Sequence, residues 1–474
     1  MKIRYFVFFF FLLSIVGCKS NSKEQQITKN LTIFFINDPH GQIDNFAKIK
    51  SIVEQEALKT NVILACSGDL FSGNPIVDNY PEKGFPMIDL MNKVGFDIAA
   101  VGNHEFDYGE TVLKNRMEQA DFDWVCANVD MTNSVVPEPY EYQTISVGDL
   151  NIAFLGLVET GGKEDAVIPS THPWKVQNYT FEEPKNVVYK YADVKEQENA
   201  DLFIALSHLG YDNSYGLGDV QLATQFPYFD LIIGGHSHQK VNTTVNEIPI
   251  VQAGSYLNNL GKIELTVKNK KIETMNWELI NLNTATDYDA DLKALIDEYN
   301  DLPYLKDVIG YSALNHSTSQ IGCFLADAYR AKMNVDIAFQ NSGGVRSGLN
   351  QGDITKREIF EITPFNNGTI IYDMSVSEIK NFLKGSHAGF YYSGIQIEQN
   401  QQEILMRDLS NRVLSDQSIL SVGVIDYLPA VYDQYFPPAG NIQTLNDAET
   451  IISYLLEIDN QVNYPSCTHY FRYQ

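Results

Sequence analysis

Short apolar runs that end in metal-binding types of residue constrain the fold of this chain most strongly. In LIIGGHSHQK, residues 231–240, four strand-like residues and Gly235 are followed by His236 and His238. A strand that is buried on both faces has no use for two imidazoles at its end unless they bind something. Because the chain has only nine histidines, this pair predicts a functional site.

Other apolar runs have a similar length. Continuous Val, Ile, Leu and Phe runs predict strands that are buried on both faces, and residues 47–58 and 109–120 predict amphipathic helices between them. The alternation of strands and helices predicts a layered α/β domain. The predicted strands are LTIFFIN, NVILAC, DIAAVG, WVCANV, NIAFLGL, DLFIALS and LIIGG.

The pattern changes in the last two fifths of the chain. Residues 287–301 carry apolar side chains at helical spacing, and a second α/β pattern follows with helices at 319–333 and 375–383 and a strand at 335–341. A chain of 474 residues is also too long for one ordinary core. We therefore predict a larger domain, a linker helix and a smaller domain, which span residues 30–282, 283–302 and 303–474.

The N-terminus predicts export from the cytoplasm. Two basic residues precede an apolar run over residues 5–16, which is short for a membrane span and typical of a signal-peptide core. The run ends in SIVGC, which resembles the lipobox of bacterial lipoproteins. We expect a signal peptide over residues 1–17, lipidation of Cys18 and a flexible tether over residues 18–29, with an uncleaved anchor as the alternative. The expected location is extracytoplasmic, with the lipid anchor in a bacterial membrane and the protein periplasmic or on the cell surface.

Charge and cysteine content exclude further classes of protein. The 34 basic and 60 acidic residues give a formal charge of −26, which repels nucleic-acid polymers and leaves a small anionic substrate in need of a local positive site. Metal ions would supply such a site. The cysteines other than Cys18 show no CxxC spacing, so we expect buried free thiols and no disulfide framework at Cys66, Cys126, Cys323 and Cys467.

Five of the predicted strands end in residues that bind metals or transfer protons. Because the carboxyl ends of strands in an open α/β sheet converge on one crevice, we expect these side chains to meet there. The set exceeds what one ion needs and suits two divalent ions, and mixed nitrogen and oxygen ligands favour zinc, manganese or iron. The residues are Asp38, His40, Asp69, Asn103, His104, Asp107, His208, His236 and His238.

The motifs that carry these residues resemble those of the calcineurin-like metallophosphoesterases. NDPHG, SGD, GNHEFD, SHLG and GGHSH occur in that family's order and approximate spacing, and the surrounding sequence is similar to its bacterial periplasmic and animal ecto 5′-nucleotidase branch. The resemblance covers nearly the whole mature chain. It implies an α/β fold with a four-layer β-sandwich flanked by helices, joined by the linker helix to a smaller α/β 5′-nucleotidase C-terminal domain.

The resemblance also implies a role for each motif residue. One metal ion would be held by Asp38, His40, Asp69 and His238. A second ion, bridged to the first by Asp69, would be held by Asn103, His208 and His236. His104 and Asp107 would form a catalytic dyad that stabilises the phosphoryl oxygens in the transition state. The alternative for Asp107 is a helix N-cap before YGETVL.

In the second domain the resemblance implies the residues that bind the substrate. Phe365 in TPFNN would stack on a nucleobase, and its alternative is a core position behind Pro364. The other implied residues, from NSGGVRSGLNQGDIT and TPFNN, are Asn341, Gly344, Arg346 and Asn367.

Two segments depart from the family pattern. NHSTSQIGC places Asn315 where the family carries an arginine and Cys323 where it carries an asparagine. The GGDGF-like segment, which supplies a second stacking aromatic, is replaced by DYLPAVYDQYFPP, in which Tyr432, Tyr435 or Phe436 would substitute. Both departures weaken the inference of a 5′-mononucleotide substrate and leave the hydrolytic motifs intact.

By this resemblance the chain is a dimetal phosphoester hydrolase. The leading prediction is a 5′-nucleotidase that releases phosphate from extracytoplasmic nucleotides by attack of a hydroxide bridging the two ions. The enzymatic alternatives are a 2′,3′-cyclic nucleotide phosphodiesterase, a nucleotide-sugar hydrolase or a sulfur-ester hydrolase on the same centre. The alternative of a different class is a non-catalytic nucleotide-binding lipoprotein, and the sequence leaves the oligomeric state open.

Overall fold

The computed structural model describes residues 28–213 and 216–474. The predicted signal peptide, Cys18 and all but the last two residues of the predicted tether lie outside these ranges. The first strand already begins at Lys29, so the tether prediction is wrong for that residue. Within the described ranges, no helix is long and apolar enough to cross a membrane.

The N-terminal part alternates strands and helices and then adds antiparallel strands. Its strands are β1 (Lys29–Ile36), β2 (Asn61–Cys66), β3 (Ile98–Ala100), β4 (Asp123–Val125), β5 (Val129–Asp130), β6 (Tyr142–Val147), β7 (Leu150–Val158), β8 (Thr180–Phe181), β9 (Leu202–His208), β10 (Leu231–Gly234), β11 (Lys240–Val245), β12 (Ile248–Ala253), β13 (Asn259–Lys268) and β14 (Lys271–Asn281). Its helices are α1 (Phe46–Ala57), α2 (Pro75–Asp78), α3 (Phe85–Val94), α4 (Glu110–Gln119), α5 (Pro184–Val187), α6 (Val194–Gln197), α7 (Asp219–Gln225) and α8 (Ala290–Tyr299).

Two six-stranded sheets form the centre of the N-terminal part. The first has the strand order β14-β13-β1-β2-β3-β4, and the second has the order β11-β12-β10-β9-β7-β6. Strands β1 to β4 are parallel, as are β7, β9, β10 and β12, whereas β13 and β14 form an antiparallel hairpin that extends the first sheet. All seven strands predicted from apolar runs are present.

The alternation of side chains along β1 shows why its whole length is apolar. Ile33 and Phe35 pack between the two sheets, whereas Phe34 and Ile36 pack on the opposite face with residues of helices α1 and α3. The second sheet has a matching outer cluster, which includes Leu222 of α7. The layers are therefore helix, sheet, sheet and helix, which confirms the predicted four-layer sandwich.

The predicted connecting helix is part of the N-terminal core. Asp289 caps α8 by accepting a hydrogen bond from the backbone N–H of Leu292 at 2.7 Å. The apolar stripe of the helix, Leu292, Ile296 and Tyr299, is buried with the residues around α1 and α3. The hydroxyl of Tyr299 also donates to Asp89 at 2.9 Å. The helix is thus fixed to the sandwich rather than exposed between two domains.

The C-terminal part is a smaller α/β unit around a third six-stranded sheet of order β23-β18-β22-β16-β19-β25. Its strands are β15 (Val308–Ser312), β16 (Ile337–Asn341), β17 (Gly352–Thr355), β18 (Gly368–Ser375), β19 (Gly389–Ser393), β20 (Gln396–Asn400), β21 (Glu403–Arg407), β22 (Ile419–Ile425), β23 (Asn441–Asn446), β24 (Gln461–Val462) and β25 (Tyr470–Arg472). Its helices are α9 (Thr318–Met333), α10 (Lys356–Ile362), α11 (Val376–Gly385), α12 (Tyr427–Val431) and α13 (Asp447–Glu457). Its core is continuous and contains Phe324, Phe339, Phe382 and Phe390.

The prediction of four free thiols is wrong for one pair. Cys323 in α9 forms a disulfide with Cys467, 144 residues further along the chain. Cys66 and Cys126 are buried free thiols, as predicted. Neither partner of the disulfide has a nearby cysteine in the sequence, so spacing alone does not reveal the bond.

Loss of this disulfide should destabilise the C-terminal unit, because the bond closes a long loop in the unfolded chain. We expect dithiothreitol to reduce the free energy of unfolding by about 2–4 kcal/mol, measured by urea denaturation. The variant with both Cys323→Ser and Cys467→Ser is the control, since its stability should not respond to dithiothreitol. An equal response of the wild type and this variant would contradict the assignment.

Candidate metal centre and active site

The predicted ligand residues come from both stacked sheets. In the first sheet, β1, β2 and β3 end just before Asp38, Asp69 and Asn103. In the second, β9 ends at His208, and β10 ends two residues before His236. The carboxyl ends of the two sets of strands therefore meet at one edge of the sandwich, rather than at the crevice of a single open sheet.

Four of these residues form a first cluster of ligand atoms. Single donor atoms of Asp38, His40, Asp69 and His238 all lie within 4.8 Å of one another. The two imidazole Nε2 atoms of His40 and His238 are only 2.8 Å apart, and Nε2 of His238 lies 3.4 Å from Oδ1 of Asp38. Donor atoms that point at one another in this way fit a shared cation.

A second cluster shares the carboxylate of Asp69. Donor atoms of Asp69, His208 and His236 also lie within 4.8 Å of one another, and Nε2 of His208 is 3.1 Å from Oδ2 of Asp69. Asn103 joins them through Oδ1, which lies 3.0 Å from Nδ1 of His236. Its Nδ2 donates to the carbonyl of Ser170 at 3.0 Å, which fixes the amide with its oxygen toward the centre.

Backbone carbonyls fix the protonation of two ligand histidines. Nδ1 of His40 donates to the carbonyl of Ser72 at 3.0 Å, and Nδ1 of His208 donates to the carbonyl of Ser67 at 2.6 Å. Because a carbonyl only accepts, each Nδ1 carries a hydrogen, which leaves Nε2 as the nitrogen that would bind a metal ion. Nε2 of His208 is buried, and its closest polar contact among the described residues is Oδ2 of Asp69 at 3.1 Å. This donor set fits divalent ions.

Five of the seven predicted ligand residues occupy strained backbone conformations. Asp38, His40, Asp69, His236 and His238 have φ values of 49°, 48°, 59°, 70° and 56°. Non-glycine residues rarely adopt this left-handed region, at a cost on the order of 1–3 kcal/mol each. The strain turns each ligand back toward the edge of the sandwich where the strands end.

One glycine permits the close approach of the two sheets. A Cβ atom on Gly235 would lie 2.8 Å from the carbonyl oxygen of Ser67 and 2.9 Å from Nδ1 of His208. Both atoms belong to the hydrogen bond that orients His208, so a side chain here would displace a ligand. The GGHSH motif therefore needs this glycine as much as its histidines.

Glu105 holds the loops of the first sheet and was missed as a functional residue, although it lies in GNHEFD. It is fully buried, and its carboxylate accepts hydrogen bonds from the backbone N–H groups of Asp69, Leu70 and Gly102 at 3.0, 2.5 and 2.5 Å. Burial raises the pKa of Glu105 to about 7. These bonds position the backbone that carries the shared ligand Asp69 and Asn103.

Asp219 plays the equivalent part in the second sheet, and no motif in the sequence points to it. Its two carboxylate oxygens accept from Oγ of Ser207 at 2.6 Å and from Nε2 of Gln252 at 2.8 Å. Oε1 of Gln252 accepts in turn from Oγ of Ser237 at 2.7 Å. Ser207 precedes His208, and Ser237 lies between His236 and His238, so these hydrogen bonds connect the segments that carry three ligand histidines.

We expect Asp219→Ala to weaken binding of Mn²⁺ to the metal-free protein by roughly 10-fold, the lower end of the cost of losing an outer partner of a metal ligand, because Asp219 acts on the ligands through Ser207 and Gln252. Isothermal titration calorimetry measures this directly. The exposed Asp193 provides a matched control, Asp193→Ala. If Asp219→Ala lowers only the unfolding temperature and leaves the affinity unchanged, Asp219 has a purely structural role.

His104 and Asp107 form a buried pair next to the metal clusters. Nδ1 of His104 donates to Oδ2 of Asp107 at 2.6 Å, and Nε2 of His104 faces Oδ2 of Asp69 at 4.0 Å. The other oxygen of Asp107 accepts from the hydroxyl of Thr171 at 2.8 Å. Asp107 therefore does not cap the following helix, whose N-cap is Gly109. Burial opposes the charged pair, but attraction lowers the pKa of Asp107 and raises the pKa of His104.

Asp69 and the histidines around it shift each other's pKa. Burial disfavours a charged Asp69, but the surrounding histidines, chiefly His208 and His104, hold the pKa of Asp69 well below its usual range. Burial disfavours a charged His208 as well, but Asp69 raises the pKa of His208 to about 10. A carboxylate that stays ionised despite complete burial is suited to attract cations.

The C-terminal part closes over this centre. A cleft of about 190 Å³ lies between the two parts. Nη2 of Arg346 reaches to 3.1 Å from Nε2 of His40. The ring of Phe365 stacks on His104 with centroids 5.5 Å apart. The cleft brings together His104, Asp107, Asn103 and His236 with the predicted residues Asn341, Gly344, Arg346, Phe365 and Asn367.

Asn367 lines the cleft but already has protein partners. Its Nδ2 donates to the buried Asp447 at 2.7 Å, so its Oδ1 faces Nε2 of His172 at 2.9 Å. His172 belongs to the N-terminal part and also contacts the ring of Tyr427 edge to face, with centroids 5.4 Å apart. Neither His172 nor Tyr427 was predicted, and both line the cleft.

The segments that depart from the family pattern have structural roles. Asn315 accepts from the backbone N–H of Gln351 at 2.8 Å, and Cys323 forms the disulfide. The expectation that Tyr432, Tyr435 or Phe436 lines the substrate cleft is wrong. Tyr432 and Phe436 pack against Phe382, and Tyr435 lies in a separate groove with Phe436. The aromatic residue of this segment that lines the cleft is Tyr427.

Comparisons with known proteins agree with this architecture. The calcineurin-like phosphoesterase family matches residues 31–240, and the 5′-nucleotidase C-terminal domain matches residues 305–470. The chain is 29% identical over 412 residues to the trifunctional nucleotide phosphoesterase protein YfkN of Bacillus subtilis. The aligned region covers 75% of this chain and 27% of that protein. The chain is also 27% identical over 444 residues to the 5′-nucleotidase of Vibrio cholerae, in an alignment that covers 78% of this chain and 79% of that protein. The 5′-nucleotidase precursor of Thermus thermophilus has the same fold, with a TM-score of 0.82 at 20% identity over 93% of this chain and 98% of that one.

The fold and the residues at its sheet edges define a metal-dependent phosphoester hydrolase. The chain belongs to the calcineurin-like phosphoesterases that carry a 5′-nucleotidase C-terminal domain. It spans only about a quarter of the length of the Bacillus relative, 27%, so that relative's whole activity does not transfer to this chain.

Proposed function

We propose that this protein hydrolyses the phosphomonoester bond of 5′-nucleotides outside the cytoplasm. The observation that supports this most directly is the shared carboxylate of Asp69, with one cluster of nitrogen and oxygen donors on each side of it. Two divalent ions bound there would neutralise the phosphate and activate a water molecule for attack on phosphorus. Zinc, manganese and iron are the proposed ions, because no thiolate is among the donors.

The proposed metal ligands are the seven predicted residues. Asp38, His40, Asp69 and His238 form one site, and Asp69, Asn103, His208 and His236 form the other. The carbonyls of Ser72 and Ser67 hold the rings of His40 and His208. The carboxylate of Glu105 holds the backbone N–H of Asp69. This preorganisation lets the protein bind ions without first rearranging its side chains.

His104 has the proposed catalytic role beside the ions. Asp107 holds its Nδ1, which leaves Nε2 toward the reacting phosphoryl group, and the raised pKa of His104 favours the protonated ring. A protonated His104 stabilises negative charge on the phosphoryl oxygens as the transition state forms. Arg346, which reaches the same centre from the C-terminal part, would bind another phosphoryl oxygen.

The substrate cleft supports recognition of a planar base. Phe365 and Tyr427 line the cleft, and stacking of a base on an aromatic ring is worth about 1–3 kcal/mol. Asn341, Gly344 and Asn367 offer polar groups along the same wall, although Asn367 would have to share its bonds to His172 and Asp447. The missing family arginine at Asn315 leaves Arg346 as the only arginine that lines the cleft among the described residues.

The location outside the cytoplasm is also part of the proposal. The disulfide between Cys323 and Cys467 suits an oxidising compartment, where such bonds persist. The N-terminal lipobox, with lipidation at Cys18, would anchor the protein to a bacterial membrane, at the periplasmic face or the cell surface.

Substitution of one metal ligand tests the hydrolytic centre. We expect His236→Ala to lower kcat more than about 100-fold, beyond the usual cost of losing an outer partner of a ligand, and to lower the content of bound metal. The exposed His387 provides a control, His387→Asn, which should keep full activity. Retained turnover in folded His236→Ala would contradict the assignment.

A substrate panel separates the proposed function from its alternatives. We expect the metal-loaded protein to hydrolyse adenosine 5′-monophosphate with a higher kcat/KM than 2′,3′-cyclic AMP, UDP-glucose or sugar phosphates. Tyr427→Ala should raise KM for the nucleotide about 5- to 150-fold, through loss of about 1–3 kcal/mol of stacking, and leave 4-nitrophenyl phosphate turnover unchanged. Preference for the cyclic nucleotide or nucleotide sugar would support those alternatives, and no turnover of any substrate would support a binding protein.

A further inference from the structure

A second cavity adjoins the substrate cleft. It has a volume of about 270 Å³ and shares Asp107, His172 and Phe365 with the cleft. Like the cleft, it lies between the two parts of the chain, where ligand sites are common. Its other lining residues include Lys83 and Lys175 from the N-terminal part, and Asn366 and Asp426 from the C-terminal part.

Two lysines, Lys83 and Lys175, line this cavity. Lys175 donates to the backbone carbonyl of Asp107, and Nζ of Lys83 lies 5.5 Å from the ring centre of Tyr108. Neither amine has a carboxylate within ion-pair distance among the residues that the structure describes, whereas most other lysines of this acidic chain do. Burial lowers the pKa of Lys175, and the charge of Lys83 lowers it further against the attraction of Asp107.

The acidic groups near the cavity are largely occupied. Asp107 is paired with His104, and Asp78 accepts the hydroxyl hydrogen of Tyr108. Burial raises the pKa of Asp78 to about 7, so part of its population is neutral near neutral pH. Asp426 accepts one hydrogen bond from the backbone N–H of Gly368 at 2.9 Å, and it is the remaining acidic group on the wall. The two ammonium groups therefore share the wall with Asp426, which attracts Lys175 without forming an ion pair with it.

The wall shared by the two cavities also carries a buried nitrogen atom, Nδ1 of His172. Nε2 of His172 donates to Oδ1 of Asn367, and burial lowers the pKa of His172 to about 4, so the ring is neutral and its Nδ1 is an acceptor. This Nδ1 is buried and has no partner among the described residues, in a side chain that is 4% exposed. Because buried acceptors normally accept a hydrogen bond, a ligand that contacts this atom should offer a hydroxyl or N–H group.

We propose that Lys83 and Lys175 form a subsite for a second phosphate group, either on the substrate or free in solution. Each ammonium would donate to the phosphate oxygens, and Asn79 and Asn366 lie on the same wall. Because the cavity shares three residues with the cleft, a nucleoside with phosphates at two positions would reach both places. A ribose hydroxyl between the two phosphates would donate a hydrogen bond to Nδ1 of His172. The substrate-borne form of this inference rests on the proposed function.

Binding of inorganic phosphate to the metal-free full chain tests the subsite without turnover. We expect Lys83→Gln to weaken this binding about tenfold in isothermal titration calorimetry. Lys93→Gln is the control, because Lys93 pairs with Asp89 on the surface and does not line the cavity. No binding by the wild type, or equal binding by wild type and Lys83→Gln, overturns the proposal.

Kinetics then distinguish the two sources of the phosphate. A substrate-borne phosphate predicts that Lys83→Gln raises KM about tenfold for adenosine 3′,5′-bisphosphate and less than twofold for adenosine 5′-monophosphate. Unchanged KM values together with weaker binding of inorganic phosphate assign the subsite to free phosphate. If neither nucleotide is hydrolysed, the proposed function fails, and the calorimetric result still decides whether the subsite exists.

Discussion

The carboxylate of Asp69 connects the two halves of the metal centre, and the surrounding structure serves to hold it ionised and correctly placed. It lies on a left-handed turn after β2, its backbone N–H is held by Glu105, and His208 faces it from the other sheet. Complete burial would favour the neutral acid, but the histidines around it outweigh that effect. The sandwich thus concentrates negative charge and nitrogen lone pairs at one edge, where the strain of several left-handed residues is balanced by buried hydrogen bonds.

The C-terminal part adds the contacts that an isolated sandwich would lack. Arg346 reaches His40, Phe365 covers one face of His104, and Asn367 meets His172 across the cleft. These contacts place a positive charge, an aromatic surface and an amide next to the proposed phosphoryl site. Recognition of the substrate and hydrolysis therefore depend on the same interface, so residues that fix the interface also affect catalysis.

The sequence predicted the parts of the molecule that depend on local pattern. The apolar run of β1 is continuous because Phe34 faces the helices while Phe35 faces the second sheet, and the polar residues after the strands mark their carboxyl ends. Contacts between distant segments could not be predicted in this way. Asp219 acts through Gln252 and Ser237, His172 meets Asn367 at a separation of 195 residues, and Cys323 finds Cys467 only after folding. Likewise, the family resemblance implied Tyr432, Tyr435 or Phe436 as the second stacking residue, but the residue of this segment that lines the cleft is Tyr427.

Anomalous diffraction from crystals grown with Mn²⁺ tests the central claim most directly. We expect two peaks roughly 3.5–4 Å apart, one on each side of the Asp69 carboxylate, with His238 next to one peak and His236 next to the other. A single peak that Asp69 does not share, or ions bound away from these histidines, would contradict the dimetal centre and the hydrolytic chemistry derived from it.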